Sequence, residues 1–495
     1  MASTHRPSSS RESTINSTHS STSSHSIPAS CEKSTVTKAT VIIVGSGIGG
    51  LTLAALLERA GIEYQIFERA AKVKPLGSAL SIGPNIMYLF GQLGILDEIL
   101  ANAKPFGFST GYNLQRQATR TLDYSPAEKI GGFLPHIISR PILVDILLRL
   151  VPVNKISYSK KILQVKQEDE HVIIKCSDNS EYQSDILVGA DGAYSSVRQN
   201  LYKALNAKGK LPKADNADLP FNSVCLVGQT TPLDPEEFPH LKDSHTWFET
   251  MVGQDKPYAW ITFTSKQNTI CWMVLENLNE VSSKANDFFR NSEWGPEAAE
   301  AMCKEVSDFP VARNNMTLGD LFDRTPKDMI SKVMLEEKLF DTWSGGRIVL
   351  LGDACHKMFP SAGLGAVSAM QDAVTLANCL YELSQYPSTA EISKAFKHYQ
   401  NERYPFAKNA YDTSHRLAGV VGTNWYNHMF RTVMKWMPKS LFTKSLVVMY
   451  SYRPQASFLK YIPDKGQIKP APQPSLDRAR ARVRADLAKA KARAI

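Results

Sequence analysis

The sequence predicts an α/β protein, α+β overall, in which a nucleotide-binding domain is interrupted by an antiparallel sheet and followed by a helical C-terminal region. Three observations predict this class. A β-branched strand, a glycine-rich turn and a helix occupy residues 40–60. A second strand, Gly-rich loop and helix follow at residues 347–384. Between them, residues 221–275 read as short aromatic-rich strands, a pattern that is typical of an antiparallel sheet.

The first pattern has the spacing of a Rossmann-like dinucleotide-binding turn. Gly45, Gly47 and Gly50 follow the strand at G-x-G-x-x-G spacing, and a second strand ends on Glu68. Gly45 permits the tight turn, Gly47 lets the backbone approach a pyrophosphate, and Gly50 allows the helix to pack closely on the strand. The acidic Glu68 would accept hydrogen bonds from ribose hydroxyls and disfavours a phosphate there, so the pattern predicts FAD or NAD rather than NADP. An ordinary strand–helix turn is the alternative.

Charge and cysteine usage bear on the class of protein. Of the formal net charge of +9, residues 477–495 contribute +5, with seven basic and two acidic groups, so nucleic-acid binding is not predicted for the rest of the chain. The seven cysteines form no C-x-x-C pair, which favours a reducing compartment and indicates no metal site. A spanning helix is not predicted, because no run of about 18 uncharged apolar residues occurs. We therefore expect a cytoplasmic protein.

The N-terminal segment, residues 1–38, contains 19 Ser or Thr and no apolar stretch of the kind found in secretory signals. Such a segment buries too little apolar surface to offset its ordering entropy, so we predict that it is disordered. A transit peptide is the alternative, because acidic residues are few.

Shifts in composition predict six segments. In chain order they are a disordered tail (1–38), the first part of the nucleotide-binding domain (39–205), a substrate domain with an antiparallel sheet (206–340), the second part of the nucleotide-binding domain (341–415), a helical, apolar and basic region (416–465), and a Pro-rich linker with a basic tail (466–495).

Two further strands end in turns that combine Gly with Asp. Asp191 and Gly192 lie in GADGAYSSVR, and Gly352 and Asp353 lie in LLGDACHKMFPSAGLGA. Each alone reads as a common turn. In this order after the glycine loop, they make the chain resemble the FAD-dependent class A monooxygenases, which have the p-hydroxybenzoate hydroxylase fold. The likeness covers roughly residues 40–415 and is closest to the branch that oxidises terpenoid, indole-terpenoid and polyketide intermediates.

The resemblance implies FAD contacts at the matching positions. The implied cofactor-binding residues are Gly45, Gly47, Gly50, Glu68, Gly83, Arg140, Asp191, Asp353, Gly365 and Ala366. Asp353 would accept hydrogen bonds from the ribityl hydroxyls, Gly83 would lie close to the cofactor, and Arg140 would contact the flavin. The backbone N–H groups of Gly365 and Ala366 would stabilise negative charge on the reduced flavin. A surface charge that caps a helix is the alternative for Arg140.

Arg198 is the implied residue of the catalytic region, because the family uses the turn before it for both FAD and the nicotinamide. Two departures from the family pattern lie near the flavin. Leu364 and Val367 stand where the family usually has Gln and Asn, so polar side chains are lost and the backbone donors are kept. The strand FNSVCLVG lacks the tyrosine of several relatives, and no catalytic tyrosine is assigned.

Other polar and aromatic residues have weaker signals. Cys355 and His356 lie beside Asp353, but no base or metal ligand accompanies them in the sequence, so we predict a structural role. Four aromatic residues of the predicted sheet are candidates for a substrate pocket, with core packing as the commoner alternative. They are Phe248, Tyr258, Trp260 and Trp272.

The resemblance implies an oxidoreductase of secondary metabolism that consumes NADPH or NADH. Its reduced FAD would react with O₂ to give a flavin C4a-hydroperoxide, which hydroxylates or epoxidises an apolar small molecule. The absence of a second G-x-G-x-x-G agrees with transient binding of the nicotinamide. An FAD oxidase or dehydrogenase, a double-bond reductase of the same fold, and a flavin-containing adaptor without activity are the alternatives.

The region 425–452 mixes apolar and basic residues. Apolar residues recur there at helical spacing, which predicts an apolar face with basic flanks. They are Trp425, Met429, Val433, Trp436 and Met437. The interspersed bases and Pro438 disfavour a spanning helix. The pattern suggests the hypothesis of peripheral membrane contact, and core packing against the substrate domain is the alternative.

Overall fold

The computed structural model describes residues 37–73, 78–253, 257–278, 296–419, 429, 432, 433 and 436–493. The disorder predicted for residues 1–38 therefore falls almost entirely outside the described residues. Within them, the predicted fold class is confirmed: a mainly parallel sheet with helices is combined with a second, mainly antiparallel sheet and with C-terminal helices.

The first sheet has eight strands, of which the central ones are parallel. Its strands are β1 (Thr37–Val44), β2 (Tyr64–Phe67), β8 (Ile156–Ser157), β9 (Ile162–Gln167), β10 (Val172–Cys176), β11 (Glu181–Gly189), β18 (Ser344–Gly345) and β19 (Ile348–Leu350). Their order is β18–β19–β11–β1–β2–β8, and β10 and β9 continue antiparallel from β11. Strands β1, β2, β11 and β19 are parallel. Because both faces of a central parallel strand are buried, these strands contain short apolar runs, such as residues 41–44 of β1 and 186–188 of β11.

The described helices pack on the two large sheets and continue into the C-terminal region. They are α1 (Ile48–Ala60), α2 (Pro84–Leu93), α3 (Leu96–Asn102), α4 (Pro126–Gly131), α5 (Arg140–Leu148), α6 (Ser196–Ala207), α7 (Pro296–Val306), α8 (Leu318–Asp323), α9 (Gly365–Tyr381), α10 (Thr389–Ala418), α11 (Lys439–Tyr450) and α12 (Pro474–Arg493). Helices α1 and α9 bury most of their residues in the core of the first sheet. None of the helices in the described part of the chain has the length and apolar composition needed to cross a membrane.

The second sheet has seven strands. They are β5 (Phe108–Tyr112), β6 (Ala118–Asp123), β12 (Phe221–Gln229), β13 (Phe248–Val252), β14 (Tyr258–Thr264), β15 (Ile270–Asn277) and β16 (Ser331–Glu336). Their order is β16–β12–β15–β14–β13–β5–β6, and only the β13–β5 pair is parallel. Strands β5 and β6 come from the segment 39–205, so this sheet draws on more of the chain than the predicted substrate domain, 206–340.

Alternate residues of β14 point to opposite faces of this sheet, as strand geometry requires. Tyr258 and Trp260 pack in the apolar cluster under α7 and α8. Ala259, Ile261 and Phe263 pack in a different cluster, which also contains Phe359. The second sheet therefore has one face covered by its own helices and one face turned toward the loop that leads into α9.

Two small sheets complete the described strands. They are formed by β3 (Ala79–Ile82), β4 (Ala103–Pro105) and β7 (His136–Ser139), and by β17 (Lys338–Leu339) and β20 (His356–Lys357).

The chain after α11 packs closely on the first sheet and its helices. Buried Arg453 donates hydrogen bonds to Asp464 Oδ2 at 2.6 Å and to the Tyr450 carbonyl at 2.6 Å. The Glu402 carboxylate of α10 accepts the backbone N–H of Ser475 at 2.6 Å, and it thereby caps α12. The segment 466–495, predicted as a linker and basic tail, thus contains a 20-residue helix whose first turn is anchored in the protein.

Candidate functional site

The glycine loop between β1 and α1 has the geometry of a phosphate cradle. Gly45 has a φ of +104°, and a Cβ there would lie 2.5 Å from the carbonyl oxygen of Ala190. A Cβ on Gly50 would lie 2.1 Å from the Gly45 carbonyl oxygen, so the helix approaches the strand as closely as glycine allows. A Cβ on Gly47 would meet nothing within 4 Å, which leaves open space beside the helix N-terminus.

Among the residues that the structure describes, no side chain accepts a hydrogen bond from the first backbone N–H groups of α1. Gly47 is the N-cap of α1, and it makes no side-chain capping hydrogen bond. The first N–H groups of a helix lack partners within the helix and attract anions. Glu68 follows β2 and bends back to the loop, where its Oε2 accepts the N–H of Ser46 at 2.9 Å and the Ser46 hydroxyl at 2.8 Å. Glu68 is therefore placed at the edge of the cradle.

The turn after β11 is a helix cap. The Asp191 carboxylate accepts the backbone N–H of Ser196 at 2.6 Å and the Ser195 hydroxyl, at the start of α6. Arg198, on the first turn of α6, is 5 % exposed. Its guanidinium donates to the carbonyl oxygens of Ala354 at 2.9 Å and Ala193 at 2.5 Å. These contacts favour a positioning role, and the catalytic role of Arg198 stays a prediction.

Asp353, in the second turn that combines Gly with Asp, forms an ion pair with a nearby lysine. Asp353 Oδ2 lies 2.8 Å from the Lys357 ammonium. Burial alone would raise the pKa of Asp353, but Lys357, His356 and Arg140 lower it below its ordinary value. The Asp353 charge in turn raises the pKa of Lys357. Arg140 is exposed at the first position of α5, and its contact with the flavin stays a prediction.

The loop that opens α9 lies directly against Asp353. A Cβ on Gly365 would be 4.0 Å from Asp353 Oδ1, and a Cβ on Gly363 would be 3.6 Å from the Ser81 Cβ on β3. Leu364, the N-cap of α9, makes no side-chain capping hydrogen bond, so the N–H groups of Gly365 and Ala366 keep their capacity to bind negative charge.

The Gly352–Asp353 turn is held in place by a fully buried network of polar side chains. Asp372 of α9 accepts the backbone N–H of Gly352 at 3.0 Å. It also contacts His356 Nε2 at 2.5 Å and Arg403 Nε at 2.7 Å, and all three side chains have no exposed surface. The Coulomb attraction of Arg403 and His356 outweighs the effect of burial and lowers the pKa of Asp372. His356, predicted to be structural, is part of this network.

Cys355, His356 and Asp372 bring three potential metal-ligand atoms within 4.8 Å of one another. Arg403 places a positive charge against the same carboxylate, and both Asp372 oxygens already accept hydrogen bonds. Because a metal cation would face Arg403 and compete with these bonds, the cluster fits an ion-pair network better than a metal site.

The four aromatic candidates do not lie together. Tyr258, Trp260 and Trp272 belong to the cluster under α7 and α8, where Trp272 Nε1 donates to the Thr325 hydroxyl at 3.0 Å. Phe248 packs on the opposite face of the sheet, in the cluster that contains Phe359. Only Phe248 therefore lies on the side of the predicted flavin loop.

Some residues at the site were not predicted from the sequence. Lys357 follows Asp353 by four positions, a spacing that would have suggested an ion pair. Asp372 and Arg403 have no such signal, because only packing of α9 against α10 brings them to the turn. Tyr450, which lies 2.6 Å from the position of a Cβ on Gly83, is far from that glycine in sequence.

The arrangement fits FAD in several respects. The cradle beside Gly47 can take the pyrophosphate, and Glu68 can accept from the ribose. Asp353 and the α9 N-terminus are adjacent, as a ribityl chain and a flavin ring require. The carboxylates and backbone donors are thus chemically compatible with the hydroxyl, phosphate and ring groups of FAD.

Comparison with known proteins agrees with this fit. A family profile described as "FAD binding domain" matches residues 38–414. The chain is 28% identical over 393 residues to the FAD-dependent monooxygenase atmM of Aspergillus flavus, covering 76% of this chain and 77% of that protein. It is 29% identical over 391 residues to the FAD-dependent monooxygenase paxM of Penicillium paxilli, covering 76% and 78%.

A solved structure shares the fold. Klebsiella pneumoniae HpxO, complexed with FAD and uric acid, superposes with a TM-score of 0.68 at 18% identity, covering 84% of this chain and 97% of HpxO. The resemblance predicted from the glycine loop and the two Asp turns is confirmed by these matches. Because the family match spans more than half of the chain, the protein belongs to this FAD-binding family, and FAD is its cofactor.

Proposed function

We propose that this FAD-dependent monooxygenase uses NADPH or NADH and O₂ to insert one oxygen atom into an apolar small molecule, by hydroxylation or epoxidation. The observation that carries the proposal is the proximity of three distant stretches, namely the start of α1, the Gly352–Asp353 turn and the first turns of α9. A Cβ on Gly49 would lie 2.5 Å from Leu351 Cδ2 and 3.2 Å from the Ala369 Cβ, and a Cβ on Gly365 would lie 4.0 Å from Asp353 Oδ1. Bound FAD, when reduced, supplies the activation of O₂.

The residues of the chain have four tasks in this reaction. Gly47 and Glu68 bind the ADP half of the cofactor, and Asp353 orients its ribityl chain. The N–H groups of Gly365 and Ala366 stabilise negative charge on the reduced ring. The apolar face of the second sheet, with Phe248 and Phe263, excludes water from the oxygen-transfer step.

Labelled oxygen tests the reaction. The purified yellow protein is incubated with NADPH or NADH, ¹⁸O₂ and a panel of prenylated, indolic and phenolic compounds, and products are analysed by mass spectrometry. We expect NAD(P)H oxidation to accelerate with a true substrate and one ¹⁸O atom to enter the product. Full turnover without oxygen would contradict the proposal and would favour an FAD dehydrogenase or a double-bond reductase.

We also propose that the region around α11 contacts an anionic membrane surface without spanning it. Met429, Val433 and Trp436 are exposed, and Trp436 has 79 % of its surface accessible. On α11, Leu441 and Val448 are exposed beside Lys444, while Leu446 and Tyr450 pack inward. An exposed apolar patch with basic neighbours is typical of peripheral membrane binding. Trp425 lies outside the described residues.

Vesicle binding tests this contact. Co-sedimentation with vesicles of phosphatidylserine and phosphatidylcholine at low salt is expected for the full chain, with release at high salt, since each nearby base contributes about 1 kcal/mol. Trp436→Ser combined with Leu441→Ser should lower the bound fraction. Tyr386→Ser, at a residue that is equally exposed but distant in sequence, is the matched control. Absence of binding at every salt concentration contradicts the proposal.

A further inference from the structure

Helix α11 lies beyond the matched family range, residues 38–414, yet it packs at the predicted flavin site. A Cβ on Gly83 would lie 2.6 Å from Tyr450 Cε1, so the Tyr450 ring fills the space beside that glycine. Asn85 Nδ2 donates to the Met449 carbonyl at 3.4 Å, and Leu446 packs with Ala127 and Tyr450. Helix α11 is therefore part of the wall around the end of β3.

Two phenol groups of this wall have no assigned partner. Tyr450 is 4 % exposed, and the half-buried Tyr124 packs against the same apolar cluster. Among the residues that the structure describes, neither hydroxyl makes a hydrogen bond to another protein group. Burial raises the pKa of Tyr124 to about 12 and raises that of Tyr450 further, so both phenols are protonated donors near neutral pH.

Neither hydroxyl belongs to the fully buried polar atoms that lack a partner in the described part of the chain, so each hydroxyl keeps contact with solvent or open space. Polar groups inside proteins almost always have a hydrogen-bond partner, either a protein group or ordered water. The Tyr450 ring is needed to pack against Gly83, but this packing makes no use of its hydroxyl. The hydroxyl therefore points to a partner outside the described chain, either water or a ligand.

The surroundings of Tyr124 are a row of aromatic rings. Its ring centroid lies 4.6 Å from Phe106 and 5.3 Å from Phe442 of α11. Phe106 lies 5.3 Å from Phe248, which stacks on Phe263 at 5.4 Å. This row, Phe442–Tyr124–Phe106–Phe248–Phe263, runs from α11 to the sheet face that also packs against Phe359. It forms an apolar wall, and Tyr124 and Tyr450 lie near its α11 end.

We propose that α11 forms one side of the substrate-binding site, and that the Tyr124 and Tyr450 hydroxyls donate hydrogen bonds to an oxygen atom of the substrate. The aromatic row would contact the apolar body of the same molecule. This inference rests on the proposed function, because it places the substrate beside the predicted flavin loop. It adds two substrate-binding residues, one of them beyond the matched domain, and a requirement for an oxygen function on an otherwise apolar substrate.

A pair of probes that differ in one hydroxyl tests the inference without turnover. Farnesol and the matching hydrocarbon that lacks the hydroxyl are titrated into oxidised holoenzyme, and binding is followed by the change in the visible absorption of bound FAD. We expect the wild type to bind farnesol about five- to tenfold more tightly than the hydrocarbon, as one or two hydrogen bonds would give.

The conservative variants Tyr450→Phe and Tyr124→Phe keep the rings and remove one hydroxyl each. In each of them the preference for farnesol should fall toward equal binding, with the affinity for the hydrocarbon unchanged. Tyr386→Phe, at an exposed tyrosine, is the matched control and should keep the wild-type preference. A structural role for the two tyrosines would change FAD content or thermal stability but not the ratio of the two affinities.

Two results would overturn the inference. The first is the absence of any spectral change with farnesol in the wild type. The second is an unchanged preference for farnesol in both Phe variants. A different outcome would combine no ¹⁸O incorporation with any compound and a preference for farnesol that depends on Tyr124 and Tyr450. This outcome would contradict the proposed reaction but support the proposed binding site.

Discussion

Asp372 Oδ2 accepts the backbone N–H of Gly352 at 3.0 Å, which ties the middle of helix α9 to the turn that presents Asp353. The N-terminus of the same helix presents Gly365 and Ala366. One helix therefore sets the distance between the carboxylate predicted to hold the ribityl chain and the N–H groups predicted to face the flavin ring. Arg403 holds this helix to α10 through the other Asp372 oxygen at 2.7 Å.

Replacing Asp372 should destabilise the fold strongly. Asp372→Asn leaves the fully buried Arg403 without its counter-charge, which typically costs about 3–5 kcal/mol. We expect a matching loss in the free energy of unfolding, measured by chemical denaturation. In the double variant with Arg403→Met, part of the loss should be recovered, because no buried charge is then left unpaired. Strictly additive losses would contradict the coupling of the two residues.

Alanine substitutions at two glycines of the first loop should have different effects. One should mainly lower FAD affinity, and the other should mainly lower the stability of the apoprotein. A Cβ on Gly47 meets no atom within 4 Å, so Gly47→Ala should reduce the stability of the apoprotein by at most about 1 kcal/mol through the weaker N-cap. The added methyl would occupy the cradle, and we expect FAD affinity to fall more than tenfold.

Gly50→Ala is the counterpart of that change. Its Cβ would lie 2.1 Å from the Gly45 carbonyl oxygen, which forces the helix away from the strand and costs on the order of 1–3 kcal/mol or more. Thermal unfolding of the apoproteins and FAD titration separate the two effects. Equal loss of apoprotein stability in both variants would refute the distinction.

Asp353→Asn should weaken FAD retention at every pH from 5 to 9, because the neutral amide lacks the acceptor strength of a carboxylate. The pKa of Asp353 in the folded protein is below its ordinary value. Its electrostatic contribution is therefore complete above the unfolded pKa of about 3.9 and is lost as the pH falls through the lower, folded value.

In the wild type, we therefore expect ionisation of the Asp353 carboxylate to cause no pH dependence of FAD retention between pH 5 and 9. FAD retention is measured during dialysis by the fluorescence of the flavin that the protein releases. Asp328→Asn, at an exposed aspartate, is the control. Full occupancy in Asp353→Asn would refute the assignment of Asp353.

Gly83→Ala should disturb α11. The new Cβ would lie 2.6 Å from Tyr450 Cε1, so the Tyr450 ring or the helix has to shift, at a cost on the order of 1–3 kcal/mol. Thermal unfolding should show this loss. The double variant Gly83→Ala with Tyr450→Leu should lose less than the sum of the single changes, since the smaller side chain relieves the clash. Simple additivity would contradict direct contact in solution.

Local patterns in the sequence predicted the parts of the fold that depend on neighbouring residues. The G-x-G-x-x-G spacing, the following helix and the strand that leads to Glu68 are all local, and the structure contains each of them, with the strand ending at Phe67. The predicted sheet of aromatic-rich strands is also present. The sequence pattern did not reveal that β5 and β6 join this sheet, because strand pairing between distant segments leaves no local signal.

Side-chain direction in the second sheet shows the same limit. The sequence identified Tyr258, Trp260 and Trp272 as aromatic strand residues, but both faces of these strands are apolar, so alternation does not indicate which face meets the flavin loop. Packing under α7 and α8 decided that these three residues belong to the far cluster, whereas Phe248 lies on the near side.

The sequence by itself predicted a dinucleotide cofactor and the chain segments proposed to bind it, because glycine spacing and an acidic strand end act through local backbone geometry. Only the tertiary structure decided which side chains complete the site. Lys357 was within reach of a spacing argument, but Asp372, Arg403 and Tyr450 reach the site through helix packing. The positions at which α9, α10 and α11 cross are set by the summed packing of many residues, and no short stretch of sequence encodes them.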